Sequence, residues 1–368
     1  MKIQNPDLKT LVESFSLGQI ENETKITNGR TNETYFIKTN KGEFIIQRIN
    51  ELTYPNVDAL MQNAVLISEN LLKKHQGKTD EVRVFFKNND NQYYEKINDK
   101  FYRVCNFVPN SQTYNVPQST EMVKSAGEAI GQFENDFADF DATKLFTSEP
   151  PMHDTVFELE KLKQAINDDV CNRVVTAGDF IDEVLNYQKI APTLSEKFKC
   201  GELPKRVVHN DTKFNNILFK SNSQQALTLI DFDFTMAGTW LYDFGDAIRY
   251  ACNKAPLLEE EQDLSLVKFN MEYFKAFTEG YLSKVKTSLT NNEKRLLAVS
   301  PLVISYELCL RMLSDYLQGD INFACAENQS NLQRAKVQFN LMKDMEKNYN
   351  RMQDTVFNIL EKENNYVL

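Results

Sequence analysis

The stretch His209-Asn210-Asp211-Thr212-Lys213-Phe214-Asn215-Asn216 decides how this chain reads, together with the fifteen residues after it. An apolar run, Ile217-Leu218-Phe219, leads into the polar segment Lys220-Ser221-Asn222-Ser223-Gln224-Gln225. A second apolar run, Leu227-Thr228-Leu229-Ile230, ends at Asp231. Two such runs around a polar turn predict a β-hairpin. A hairpin brings its ends together, so Asn216 and Asp231 are expected side by side at its base. The order H-x-D-x-x-x-x-N, then an aspartate beyond a hairpin, is that of a kinase base and its metal ligands. Asp211 is therefore the candidate catalytic base, placed to orient a hydroxyl and accept its proton. Asn216 and Asp231 are the candidate magnesium ligands, because Mg²⁺ takes hard oxygens and few protein groups. Asp233 would point the same way as Asp231 if the strand continues, and is a further candidate ligand.

Each of these residues has a plainer reading. A lone loop aspartate is usually a turn or cap residue, but Asp211 sits in a full pattern before a predicted hairpin. His209 invites a general-base or zinc role. The chain has only His75, His153 and His209, with no metal-ligand spacing among them, so His209 reads as a structural residue that fixes the loop. Asp243-Phe244-Gly245 spells the D-F-G of protein kinases literally, yet lies outside the hairpin. The positional equivalent is Asp231-Phe232-Asp233. Asp243 is expected to be a structural carboxylate that caps exposed N–H groups near the start of the next helix. Arg311 lies among Leu308, Leu310, Met312 and Leu313. It either pairs with Asp315 at i+4 or donates to substrate hydroxyls.

Working outward, the first hundred residues read as strands around one helix. Residues 34–38 and 43–47 flank the hairpin signal Thr39-Asn40-Lys41-Gly42. Leu60, Ala64, Ile67 and Leu71 predict a helix over 57–74. Strands are expected over 82–86, 92–97 and 101–107, and Pro109-Asn110-Ser111 reads as a crossing. Helices then dominate: 119–140, much of 157–199, 241–252, 264–282, 291–317 and one long helix over 330–363. The last is expected to pack on its own domain rather than pair as a coiled coil. The fold class is α+β, a two-lobed protein-kinase-like fold with a nucleotide-binding lobe over 1–108 and a mainly helical lobe over 109–368.

The 368 residues are 42% hydrophobic and 26% charged, the range of soluble globular proteins. A net charge of −10 argues against nucleic acid or a membrane surface as partner. Six scattered cysteines without a C-x-x-C fit free thiols in a reducing compartment. Met1-Lys2-Ile3-Gln4-Asn5-Pro6-Asp7 has no apolar core of an export signal. The run from Leu296 to Ser305 is too short to span a bilayer. A cytoplasmic, monomeric protein is expected.

These motifs resemble the aminoglycoside phosphotransferase-like superfamily, which also holds choline kinases and several sugar kinases. His-Asn-Asp-Thr-Lys at 209–213, Ile-Asp-Phe-Asp at 230–233 and Asp-Phe-Gly-Asp-Ala-Ile-Arg at 243–249 are similar to its N-acetylhexosamine 1-kinase subfamily. So are Asp315-Tyr316-Leu317 with Gly319-Asp320, Thr34-Tyr35, Tyr114-Asn115, His153-Asp154-Thr155 and Thr278-Glu279-Gly280. The resemblance runs from about residue 25 to 350. It implies ATP- and Mg²⁺-dependent phosphorylation of the anomeric hydroxyl of an N-acetylhexosamine, with Asp211 as base and Asn216 and Asp231 on the metal. It implies sugar contacts from Arg30, Tyr114, Asn115 and Arg311. It places the nucleotide at Asn32, Gln47, Arg103, Asn106 and Phe107, with the adenine against the backbone of 103–107. One departure is marked: Gln47 stands where kinases carry the small-lobe lysine, so the phosphate charge falls to Mg²⁺ or to Arg48 or Arg30. Only Gly29 marks the loop over the phosphates. The alternatives are a kinase for choline, homoserine, a methylthio-sugar or an aminoglycoside, and a nucleotide-binding pseudokinase. Gln47 favours the pseudokinase; the intact Asp211, Asn216 and Asp231 oppose it.

Overall fold

The computed structural model describes residues 7–27, 32–255, 261–323 and 330–362. The chain divides into two compact units, Met1–Ser111 with Ile230–Thr235, and Gln112–Leu229 with Met236–Leu368.

The first unit is built on helix α1 (Asp7–Ser14), strands β1 (Ile20–Ile26), β2 (Glu33–Thr39) and β3 (Gly42–Ile49), helix α2 (Val57–Lys74), and strands β4 (Tyr94–Ile97) and β5 (Lys100–Asn106). The strands form one antiparallel sheet in the order β1-β2-β3-β5-β4. Alternation along the strands gives it two different faces. Tyr35, Ile37, Phe44, Ile46, Tyr102 and Val104 pack with Leu8, Leu11, Val12 and Phe15 in a buried apolar core. The other set carries Thr34, Gln47 and Arg103 in register across β2, β3 and β5.

Helix α2 begins and ends where its periodicity predicts, with Asn56 as N-cap accepting from the Ala59 N–H. Three elements differ from expectation, the first being strand β1, which no expected strand covers. Helix α1 is additional: at eight residues, its pattern is too short to stand out. The strand expected over 82–86 is an irregular segment beside β5. It makes one isolated bridge, Phe85 to Cys105, and bonds from the Phe86 N–H to Val104 O and the Asn106 N–H to Val84 O.

Strand β6 (Ser111–Gln112) falls at the division. Helices α3 (Thr120–Asp136), α4 (Thr155–Asp168), α5 (Val174–Leu185) and α6 (Pro192–Lys199) come next. Then come β7 (Arg206–Val208), β8 (Ile217–Lys220), β9 (Ala226–Leu229) and β10 (Met236–Gly238). The chain continues with α7 (Trp240–Ala251), α8 (Met271–Val285), α9 (Asn291–Leu296), α10 (Ser300–Gln318), α11 (Asn331–Lys347) and α12 (Tyr349–Lys362). Two expected helices are split. The 291–317 helix breaks before Ser300, where Pro301 occupies the first turn of α10. The 330–363 helix breaks at Asn348, which ends α11. The start expected at Leu264 falls later: Asn270 caps α8, accepting from the Glu272 and Tyr273 N–H groups. Among the described residues no helix is long and apolar enough to cross a membrane.

Helices α3 and α8 cross backbone to backbone. A Cβ on Gly280 would lie 2.1 Å from Lys124 O, and one on Gly127 would lie 2.3 Å from Phe277 O. Neither carbonyl can swing away as a side-chain end can. Gly280→Ala is therefore expected to cost at least about 2 kcal/mol by overpacking, read as a lowered midpoint in chemical denaturation. A midpoint unchanged from the parent protein would mean that the two helices can separate at no cost.

Candidate active site

The stretch from His209 to Asp231 folds as its sequence predicts, as a loop feeding a hairpin. Strand β7 ends at Val208; residues 209–213 turn; Phe214–Asn216 form one turn of 3₁₀ helix; and β8 pairs with β9, Ile217 opposite Leu229. Asn210 adopts φ of 63°, a left-handed value that asparagine tolerates better than most residues. Asp211 is held from two sides. Asn216 Nδ2 donates to its Oδ2 at 3.0 Å and to its backbone carbonyl at 2.8 Å. Lys213 Nζ lies 3.1 Å from its Oδ1. Asn216 thus turns its N–H groups to Asp211 and leaves its amide oxygen for another partner. Lys213 is an addition to the candidate residues. Its signal is the last letter of His-Asn-Asp-Thr-Lys, a cation two residues beyond the base.

Asp243 is the anchor of this loop. Its two carboxylate oxygens accept the backbone N–H groups of His209 and Asn210, each at 2.6 Å. The Thr212 hydroxyl donates to its carbonyl at 2.8 Å. The expectation of a structural carboxylate near a helix start needs one correction: the N–H groups it takes belong to the catalytic loop and not to α7. The reason is that β7 has already ended, leaving two buried donors that need an acceptor. Burial pushes the Asp243 carboxyl up to about 7, against the two backbone bonds and the nearby His153, which pull it down. The literal D-F-G is thus a packing motif. Phe244 is fully buried, and a Cβ on Gly245 would lie 2.9 Å from Ser300 O of α10. The His209 ring stands edge-on to Phe133, 5.6 Å between centroids. Close by, buried His153 contacts Glu307 at 2.7 Å. Burial disfavours its charge, but the Glu307 carboxylate outweighs that and raises its pKa.

In the first unit the candidates meet around the 230–235 segment. Asp231 takes a left-handed φ of 70°, and residues 232–234 form one turn of 3₁₀ helix, so the strand does not continue to Asp233. Both Asp233 oxygens are engaged: Oδ2 accepts from Asn32 Nδ2 at 2.7 Å, and Oδ1 lies 2.5 Å from Arg103 Nη1. Asn32, expected at the nucleotide, spends its amide on Asp233 and on the Asn50 N–H, at 3.1 Å. Gln47 accepts from Arg103 Nε at 3.0 Å and donates to the Thr34 hydroxyl at 3.3 Å.

The remaining expected contact residues have partners of their own. Asn106 uses its side chain to hold residues 79–84, donating to Thr79 O and Val82 O and accepting from the Val84 N–H. Its backbone N–H goes to Val84 O, and that of Phe107 goes to Glu43 O. The Phe107 ring stands edge-on to Phe36 at 5.0 Å. Arg48 pairs with Glu33 at 3.0 Å. Tyr114 packs against Phe219, and Asn115 is exposed. Arg311 does not pair with Asp315. Its Nε lies 3.7 Å from Glu158 Oε1 and its guanidinium 5.6 Å from the Phe323 ring. Asp315 instead accepts from the Asn322 and Phe323 backbone N–H groups and from Asn331 Nδ2. Arg30 and Gly29 lie outside the described residues. Among the described residues no cluster of three or more His, Cys, Asp or Glu side chains forms a ready cation site.

A family model described as a phosphotransferase enzyme family matches residues 23–282. The chain therefore belongs to this family of phosphotransferases. Among solved structures it is similar to a spectinomycin phosphotransferase in complex with ADP and spectinomycin. That match has 13% identity and a TM-score of 0.56, covering 98% of this chain and 99% of the other. It is also similar to an aminoglycoside phosphotransferase from Alicyclobacillus acidocaldarius, with 12% identity, a TM-score of 0.59, and 97% and 98% covered. A microcompartment-associated aminopropanol kinase matches at 13% identity with a TM-score of 0.54, covering 94% and 99%. At such identities the likeness is one of fold, and the fold is α+β and protein-kinase-like.

Asp243→Ala should leave two buried donors without an acceptor, a loss of about 2–6 kcal/mol at 1–3 each. The pH dependence has a definite sign. Between the unfolded aspartate pKa and about 7 the unfolded chain is ionised while native Asp243 keeps its proton. Native Asp243 thus holds more protons there, and its contribution to stability falls as pH rises through that window. The wild-type advantage over Asp243→Ala should shrink from about pH 4.5 to about pH 7 in urea titrations. An advantage that grew with pH would contradict the burial-raised carboxyl.

Proposed function

We propose that this phosphotransferase moves the γ-phosphoryl group of ATP to the anomeric hydroxyl of an N-acetylhexosamine, with Mg²⁺ as cofactor. The observation that carries the kinase reading is the setting of Asp211, fixed by Asn216 and Lys213 on a loop anchored by Asp243. In this reading the acceptor hydroxyl donates its hydrogen bond to Asp211, its oxygen attacks the γ-phosphorus, the bond to the β-phosphate oxygen breaks, and the proton passes to Asp211. Lys213, a cation beside the base, offsets negative charge on the phosphate as it approaches. Each proposed ligand is a hard oxygen donor of the kind Mg²⁺ takes: Asp231 would offer a carboxylate, and Asn216, whose N–H groups go to Asp211, its amide oxygen. Bound there, Mg²⁺ would neutralise phosphate charge. ATP as co-substrate is supported by the ADP complex of the spectinomycin phosphotransferase. The two expected domains keep their roles in this proposal, nucleotide on 1–108 and acceptor on 109–368. A small sugar is the expected partner, in a cytoplasmic monomer.

The sugar assignment rests on the motif likeness, His-Asn-Asp-Thr-Lys and the later segments. Tyr114, Asn115, Arg30 and Arg311 are the proposed sugar contacts. The anomeric hydroxyl is the most acidic on a sugar, so a carboxylate base suffices without a covalent intermediate. A second reading, an amino-alcohol or aminoglycoside acceptor, is favoured by the aminoglycoside and aminopropanol enzymes that share the fold.

ATP consumption against N-acetylglucosamine, N-acetylgalactosamine, glucose, aminopropanol, choline and kanamycin separates the two. An N-acetylhexosamine should be preferred over glucose, because a site built for the acetamido group leaves polar groups unpaired without it. Phosphorus NMR of the product should show coupling to the anomeric proton. A 6-phosphate, or stronger turnover of the amines, would replace the sugar 1-kinase reading. Asp211→Asn should lower kcat by about 10²–10⁴ with ATP affinity unchanged, and Asp231→Ala should abolish activity in a folded protein. Half of wild-type kcat in Asp211→Asn would remove Asp211 from the mechanism.

A further inference from the structure

Gln47 and Arg103 are direct cross-strand neighbours on β3 and β5. In a protein kinase the β3 position carries a lysine paired with a glutamate of the following helix. Here Gln47 is neutral, and the cation has moved one strand across. Arg103 is 1% exposed, and the Asp233 side chain is fully buried. The guanidinium Nε donates to Gln47 Oε1, Nη1 forms an ion pair with Asp233 Oδ1, and the group stands 5.4 Å from the Phe85 ring. Asn32 takes the second Asp233 oxygen and is itself tied to the Asn50 N–H. Two further ties hold the same segment: Asn63 Nδ2 of α2 donates to Thr235 O at 3.0 Å, and Tyr54 packs on Phe234. The Asp231–Phe232–Asp233 segment is thus fastened at its third residue, while its first stands at a left-handed φ of 70°, which turns the chain sharply there. Burial works against the charge on Arg103, but Asp233 and then Asp231 outweigh it and hold its pKa above the ordinary arginine value.

We infer that Arg103 is a positioning residue: its buried ion pair with Asp233 sets the backbone at Asp231 and so aims the Asp231 carboxylate at the metal. Asp233 is the anchor of that clamp and not a metal ligand. Gln47 is neutral because it must accept from Arg103; a lysine there would set a second cation against the guanidinium. The inference rests on the proposal that Asp231 binds Mg²⁺.

Equilibrium binding of ATP, measured across a Mg²⁺ series on the full chain, tests it without relying on turnover. Arg103→Gln and Asp233→Asn, each checked for folding by circular dichroism, should raise the Mg²⁺ midpoint by about 10-fold or more, the usual loss when a group behind a metal ligand is removed. ATP binding without Mg²⁺ should stay within about twofold of wild type, since the clamp acts through the metal ligand. Arg103→Lys keeps the charge but not the two-sided reach. It guards against a variant that fails to fold, and should show an intermediate midpoint at near-native melting temperature. Were Asp233 itself a ligand, Asp233→Asn would raise the midpoint while Arg103→Gln freed the carboxylate and lowered it; that result would overturn the inference. A wild-type midpoint in all folded variants would also overturn it, leaving the clamp purely structural. No Mg²⁺ effect in the wild type would instead defeat the kinase reading on which it rests.

Discussion

The catalytic loop depends on two backbone N–H groups that no strand can satisfy. Strand β7 stops at Val208, and the next two donors, at His209 and Asn210, are buried. Left unpaired, each would cost about 1–3 kcal/mol. Asp243, one turn into α7, meets both. Once those bonds are made, the direction of the chain at Asn210 is fixed, and with it the place of Asp211. The Asn216 amide and the Thr212 hydroxyl then tighten a loop whose course is already set. Helix α7 can serve as the anchor because it is itself immobilised: all but one of its residues are buried, and the Trp240 indole N–H is bonded to Val207 O at 3.0 Å on the strand that leads into the loop.

Two buried aspartates solve opposite problems with different means. Asp243 has donors but no cation in hydrogen-bond contact, so its burial shows as a raised pKa. Asp233 has a full guanidinium against it and an amide behind it. A buried ion pair is seldom a net gain in stability over apolar packing, yet breaking one by removing a single partner is costly. Such a pair is therefore a means of specifying one arrangement. That suits the segment from Asp231 to Asp233, whose first residue turns the chain at a left-handed φ. At Asp243 the two backbone bonds favour the ionised carboxylate, and burial outweighs them.

Much of this is legible in the sequence because it is local. The hairpin after Asn216, helix α2 with its Asn56 cap, and the β2–β3 turn are each fixed by residues a few positions apart. Asp211 and Asn216 are readable as candidates because they lie five residues apart in one loop. Helix α1 escapes such a reading because its apolar residues acquire meaning only against the sheet face of Tyr35, Phe44 and Tyr102. The single helices expected over 291–317 and 330–363 have continuous apolar periodicity, and periodicity does not register a break at Asn348 or before Pro301. The Arg311–Asp315 pairing is what local spacing favours. It fails because Asp315 has a stronger claim from the N–H groups of the turn after α10, while Glu158 on α4 lies within reach of the arginine.

Arg103 shows where local reading stops. In Phe101-Tyr102-Arg103-Val104-Cys105 the alternation of a strand is plain, and an arginine in the middle of it, flanked by core residues, has only two fates. It points to solvent, or it is buried with an anion. The next strand decides between them, since Gln47 opposite it can accept but cannot neutralise. The anion then has to arrive from another part of the chain, and it does so at Asp233, in the same segment that carries the proposed metal ligand. Under the proposed reading a neutral Gln47 does not leave this segment without a cation: Arg103 carries it on the neighbouring strand, where the sheet buries it against Asp233.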